Sequence, residues 1–122
     1  MAKPIHLDGA HPDCRAARDL LIIIGSKWAV LVVSMLAIRP MRFSELKREI
    51  GDITQKSLTA VLRELEKDGI VERTVTPIIP PRVDYGLTDL GKSLLGPINA
   101  LADWAAENQS AVAEARARFE QA

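Results

Sequence analysis

Residues 41 to 91 carry an order of signals that few folds accommodate. Ser44 is a good helix cap, and Phe43 stands where a hydrophobic-staple residue would precede it. A short helix over Glu45 to Glu49 follows, burying Leu46 and Ile50, and Gly51-Asp52 turns the chain. Ile53-Thr54 repeats the staple and cap. A longer helix, Gln55 to Asp68, then sets Leu58, Val61, Leu62 and Leu65 on one stripe, with Gly69 placed for a left-handed C-cap. Beyond it, Ile70 to Val75 and Val83 to Leu87 alternate as a half-buried hairpin around Thr76 to Arg82, a loop stiffened by three prolines. Arg42-Phe43 is a candidate minimal first strand. Helix, turn, helix and hairpin in this order make a winged helix-turn-helix, with the proline loop as the wing.

The flanks add helices. Asp13 can cap a first helix from Cys14 to Ile24, and a second, apolar nearly all round, runs from Lys27 to Ala37. Arg39-Pro40 breaks the pattern. Thr88 caps a final long helix whose stripe takes in Leu90, Leu94, Ile98, Leu101 and either Trp104 or Ala105, with Pro97 able to bend it. The fold expected is therefore mainly α with a small β-hairpin, a winged helix-turn-helix with additional N- and C-terminal helices. Residues 1–12 read as a flexible arm, 13–108 as the domain and 109–122 as a C-terminal helical extension.

Apolar residues make up 48% of the 122 and aromatics only 4%, so Leu, Ile, Val and Ala fill one core. A single cysteine and the lack of a signal-peptide pattern fit a reducing, cytoplasmic setting. No apolar run approaches the roughly 20 residues that span a bilayer. Net charge is zero, which speaks against nucleic acid until its distribution is read. Residues 39 to 82 hold nine Lys/Arg against seven Asp/Glu, and residues 83 to 122 hold three against six. The positive excess falls on the helix-turn-helix, where phosphate contacts need it.

A helix fits the major groove of DNA, and its N-terminal half presents the base-reading side chains. Gln55, Lys56, Thr59 and Arg63 are the outward residues of the longer helix. Ser57 is a candidate phosphate contact near its start, Thr54 being committed to the cap. Ser44 and Lys47 on the preceding helix are further phosphate candidates, and Arg82 is held outward at the wing for backbone or minor groove. Each of these side chains is equally readable as an ordinary solvated residue; the arrangement as a whole is not.

The chain resembles the HxlR-type transcriptional regulators, related to the MarR type. The resemblance rests on Cys14 before a helix, Ile24-Gly25-Ser26-Lys27-Trp28, Arg42-Phe43-Ser44-Glu45-Leu46, Ile53 to Thr59, Leu62 to Val71, Pro80-Pro81-Arg82-Val83-Asp84-Tyr85 and Leu87 to Gly91. It covers roughly residues 14 to 106. It implies a cytoplasmic homodimer on double-stranded DNA, joined by its first and last helices, with Thr54 to Asp68 in the major groove and the wing beside it. The expected interface is Leu20, Leu21, Ile24, Ile98, Leu101 and Trp104, meeting across the twofold or supporting it from within. The operator is then expected to be palindromic. Ser26, where glycine is common, and Arg15, after the cysteine, depart from the pattern. In some members a cysteine matching Cys14 senses electrophiles or oxidants.

Cys14 thus has two readings. A helix N-terminus with Arg15 and Arg18 nearby favours a thiolate and a redox or electrophile sensor, although Asp13 opposes it. The other reading is a small hydrophobe packing the first helix against the last. His6, His11, Asp13 and Cys14 match no standard zinc spacing, so no metal is expected. Gly91-Lys92-Ser93 lacks the upstream glycine of a phosphate loop. Neither a catalytic constellation nor a cofactor motif is present, and an enzyme is not expected. The competing reading is a winged-helix protein-interaction module without DNA binding, which would show an exposed apolar patch where the DNA reading needs a positive stripe.

Overall fold

The segment that is apolar nearly all round becomes the central helix. The computed structural model describes residues 12 to 121, and their side chains from Arg15 onward. In it, α2 (Lys27–Leu36) buries Ala29, Val32, Val33 and Leu36. The preceding α1 (Pro12–Ile24) meets it at a 69° bend. Ser26 makes the bend tolerable: its hydroxyl accepts the Ala29 N–H at 3.2 Å and caps α2 two residues after α1 ends.

Helices α3 (Phe43–Ile50) and α4 (Gln55–Lys67) pack on α2. Their inward residues Leu46, Leu58, Leu62 and Leu65 are all but fully buried, as is Ile53 in the turn between them. Each such leucine contributes about 1.5–3 kcal/mol on leaving water. Gly51 and Gly69 close the two helices at φ of +84° and +76°, the left-handed region that a side chain disfavours.

The start of α3 differs from expectation. Arg42, not Ser44, is the N-cap residue; Phe43 and Ser44 lie inside the first turn. The Glu45 carboxylate explains the shift, because it reaches back three residues to accept the Arg42 backbone N–H at 3.1 Å and so fixes the helix start there. The minimal strand also moves. Met41, rather than Arg42-Phe43, bridges Tyr85, its N–H donating to the Tyr85 carbonyl at 2.9 Å and the Tyr85 N–H returning at 2.8 Å.

Strands β1 (Val71–Thr76) and β2 (Arg82–Leu87) pair antiparallel from Val71↔Leu87 to Thr76↔Arg82. Only the base of this hairpin is buried, at Val71, Gly86 and Leu87. From Glu72 to Val75 every residue of β1 is exposed, whereas Val83 to Tyr85 of β2 are half-buried, so the hairpin is covered along β2 more than along β1.

The expected final helix is two. After Thr88, α5 (Asp89–Ser93) ends at Leu94 and α6 (Leu95–Gln121) begins. Pro97 accounts for the break, since it has no N–H for the carbonyl of Ser93 four residues back. Leu94 and Ile98 pack partly on the core, whereas Leu90 is exposed. No residue of α6 is buried. Among the described residues, no single helix is long and apolar enough to cross a membrane.

Candidate nucleic-acid interface

Helix α4 separates packing from display. Thr54 fixes its start by accepting the Ser57 N–H at 3.0 Å, so its hydroxyl is committed to the cap as expected. The leucine stripe points inward. Gln55, Lys56, Thr59 and Arg63 are exposed and together line one shallow outward depression. None of the four side chains has a hydrogen bond or ion pair among the described residues. Ser57 stands apart: it lines a cleft with Ile23, Ser26, Trp28 and Val61, on the side facing α1 and α2. Residues 43–67 contain no exposed large apolar side chain.

Ser44 and Lys47 are exposed and share a second depression with Arg48 and Gly51. Arg48 was not singled out in the sequence, although its spacing from Ser44 puts it on the same helix face. Beside Ser44, the Glu45 carboxylate also takes the Arg39 guanidinium at 2.9 Å. Its pKa is held below the ordinary glutamate range, first by the Arg42 backbone N–H and then by Arg39.

Arg82 is exposed at the outer end of β2, but it is not a free cation. Its guanidinium donates to Asp84 two residues on, at 3.0 Å from Nε and 3.4 Å from the second nitrogen. The two side chains share one face of the strand, which brings them together. The intervening loop, 77–81, carries only proline and isoleucine side chains, with Ile79 fully exposed.

A third recess lies between α4 and the hairpin, where Thr59 and Arg63 meet Arg73 and Tyr85. In the sequence Arg73 is only one position of an alternating strand. Pairing with Tyr85 across the sheet is what carries it to α4.

The residues expected at a subunit interface sit on α1 and α6. Leu20, Leu21, Leu101 and Trp104 are exposed, the last two at 65% and 57%, while Ile24 and Ile98 rest partly on the core. Cys14 lies in the first turn of α1, its side chain outside the described residues, as are His6 and His11. Among the described residues, no group of His, Cys, Asp or Glu is arranged to hold a metal.

Comparison with known proteins is specific. A family model described as HxlR-like helix-turn-helix matches residues 23–113. An HTH-type transcriptional regulator of Halalkalibacterium halodurans is 46% identical over 91 residues, covering 74% of this chain and 80% of its own. The solved structure of the transcriptional regulator YtfH from Salmonella typhimurium is similar with a TM-score of 0.73 at 38% identity, over 82% of this chain and 89% of that one. The redox regulator HypR in its reduced form gives a TM-score of 0.75 at 35% identity, over 81% of this chain and 98% of its own.

Proposed function

Since the chain belongs to the HxlR-like helix-turn-helix family of transcriptional regulators, we propose that it acts in the cytoplasm as a homodimer on a palindromic double-stranded operator. In this reading α4 enters the major groove. Gln55, Lys56 and Thr59 meet base edges, with Arg63 beside them. Ser44, Lys47 and Ser57 meet phosphates, and Arg82 approaches the backbone or minor groove from the wing. Residues 13–108 form the DNA-binding and dimerisation unit, and 109–122 extend it.

The observation that carries the reading is the outward face of α4, polar, unpaired and free of exposed large apolar side chains. A protein-docking surface would show the reverse. Exposed Leu20, Leu21, Leu101 and Trp104 support the homodimer, because no residue of α6 is fully buried in the single chain. Selection of genomic fragments by the purified protein, followed by gel-shift titration, tests the whole. Failure to enrich any sequence would overturn it.

A second reading concerns the signal. HypR is a redox regulator at 35% identity to this chain, and Cys14 lies in the first turn of a helix expected at the interface. We propose that a small oxidant or electrophile modifies Cys14. Diamide would take two electrons and two protons from a pair of thiols, one from each subunit, as their S–S bond forms. Operator affinity before and after diamide, in wild type and Cys14→Ser, tests this. Equal responses would assign Cys14 to packing.

A further inference from the structure

Among the arginines around α3, α4 and the hairpin, four divide into two kinds. Arg39 and Arg82 are each neutralised by a neighbouring carboxylate, Glu45 at 2.9 Å and Asp84 at 3.0 Å. Arg63 and Arg73 have no ion pair or hydrogen bond among the described residues. These two line the same crevice of about 330 Å³ between α4 and the hairpin, one from each wall. Phe43, Leu62 and Tyr85 supply apolar lining, so charge placed there is less screened than on an open surface.

Two guanidiniums that face one recess repel each other, and an anion between them relieves the repulsion. Glu66 lines the crevice too, and it is not paired with either arginine. Two positive charges and one negative leave a single positive charge. That is the complement of one phosphodiester, which carries a single negative charge. Thr59 and Arg63 line both this crevice and the outward depression of α4. The crevice therefore opens beside the face proposed to meet the major groove.

We propose that this crevice seats one phosphate of the duplex backbone, gripped by Arg63 from α4 and Arg73 from β1, with Glu66 setting the charge of the seat. The inference rests on the DNA-binding reading above. It moves Arg63 from base reading to backbone positioning, and it adds Arg73 and Glu66 to the interface. Arginine suits the task because its planar fork binds phosphate oxygens in pairs.

The test is a salt series of binding titrations on the selected operator and on a scrambled duplex. Arg73→Gln is expected to weaken both by the same factor, on the order of tenfold for a lost charged hydrogen bond. It is also expected to lower the slope of log affinity against log salt by about one per seat. Arg63→Gln should behave in the same way. Glu66→Gln should strengthen both duplexes, an effect that a merely unfolded variant cannot produce. Wild type that binds an operator while Arg73→Gln keeps its salt slope would overturn the seat and leave the DNA reading intact. Wild type that binds no duplex would overturn both. Saturable binding of inorganic phosphate to the free protein, abolished by Arg73→Gln, would give the crevice to a free anion and overturn the backbone assignment.

Discussion

Gly91 packs so closely on Ile70 that a Cβ there would stand 2.2 Å from the Ile70 carbonyl oxygen. The contact locks α5 against the end of the β1 lead-in, where the Thr88 hydroxyl donates to the Gly69 carbonyl and accepts the Gly91 N–H at 3.0 Å. Gly91→Ala must displace backbone, so it is expected to destabilise by about 1–3 kcal/mol or more. Gly96→Ala meets nothing within 4 Å and should be neutral or stabilising by up to about 1 kcal/mol. Urea unfolding of the two variants checks the contrast.

The depressed pKa of Glu45 gives a pH dependence of known sign. A carboxylate stabilised in the folded state contributes fully above its ordinary value. That contribution is lost as pH falls through the lower folded value. Glu45→Gln should therefore be less stable than wild type at neutral pH, and the gap should narrow in acid. Melting temperatures across the acid range measure it. A gap independent of pH would mean that the Arg42 and Arg39 contacts do not favour the ionised form.

Asp84 restrains Arg82, and releasing that restraint should be visible in DNA binding. Asp84→Asn is expected to tighten binding to operator and scrambled duplex alike, most at low salt. Stability should change by less than about 1 kcal/mol, as for other exposed ion pairs. Adding Arg82→Gln should reverse the gain. Gln55→Ala and Thr59→Ala should instead change the preferred bases. Gel shifts on the two duplexes separate these classes.

Leu101 and Trp104 are exposed on α6, so charges there cost the single chain little. Leu101→Asp with Trp104→Asp is expected to give a folded monomer in sedimentation equilibrium, with weakened operator binding. A dimer unchanged by the pair would place the interface elsewhere.

The helices of the winged motif were legible because their leucines recur at helical spacing and Thr54 caps where a threonine should. The start of α3 was not. Its cap works through the backbone of Arg42 and the carboxylate of Glu45, so ranking Ser44 by its hydroxyl misplaced the boundary. Pro97 is visible in the sequence, but its effect falls at Leu94, upstream, where the missing N–H is felt. The hairpin alternates as a half-covered strand should, yet β1 is exposed from Glu72 to Val75. The outward residues of α4 follow from its leucine stripe alone, and the structure brings Gln55, Lys56, Thr59 and Arg63 together. Arg73 and Glu66 do not follow, because only the approach of β1 to α4 makes them neighbours.

The division of labour along α4 has an evolutionary consequence. Leu58, Leu62 and Leu65 hold the helix in place, while Gln55, Lys56 and Thr59 bear no packing duty. Exchanges at the latter positions leave the core untouched, and surface changes of that kind usually shift stability by no more than about 0.5 kcal/mol. If these residues read bases as proposed, a lineage can redirect such a protein to new promoters by drift on a few solvent-facing codons. The scaffold that presents them stays fixed while the proposed address is rewritten.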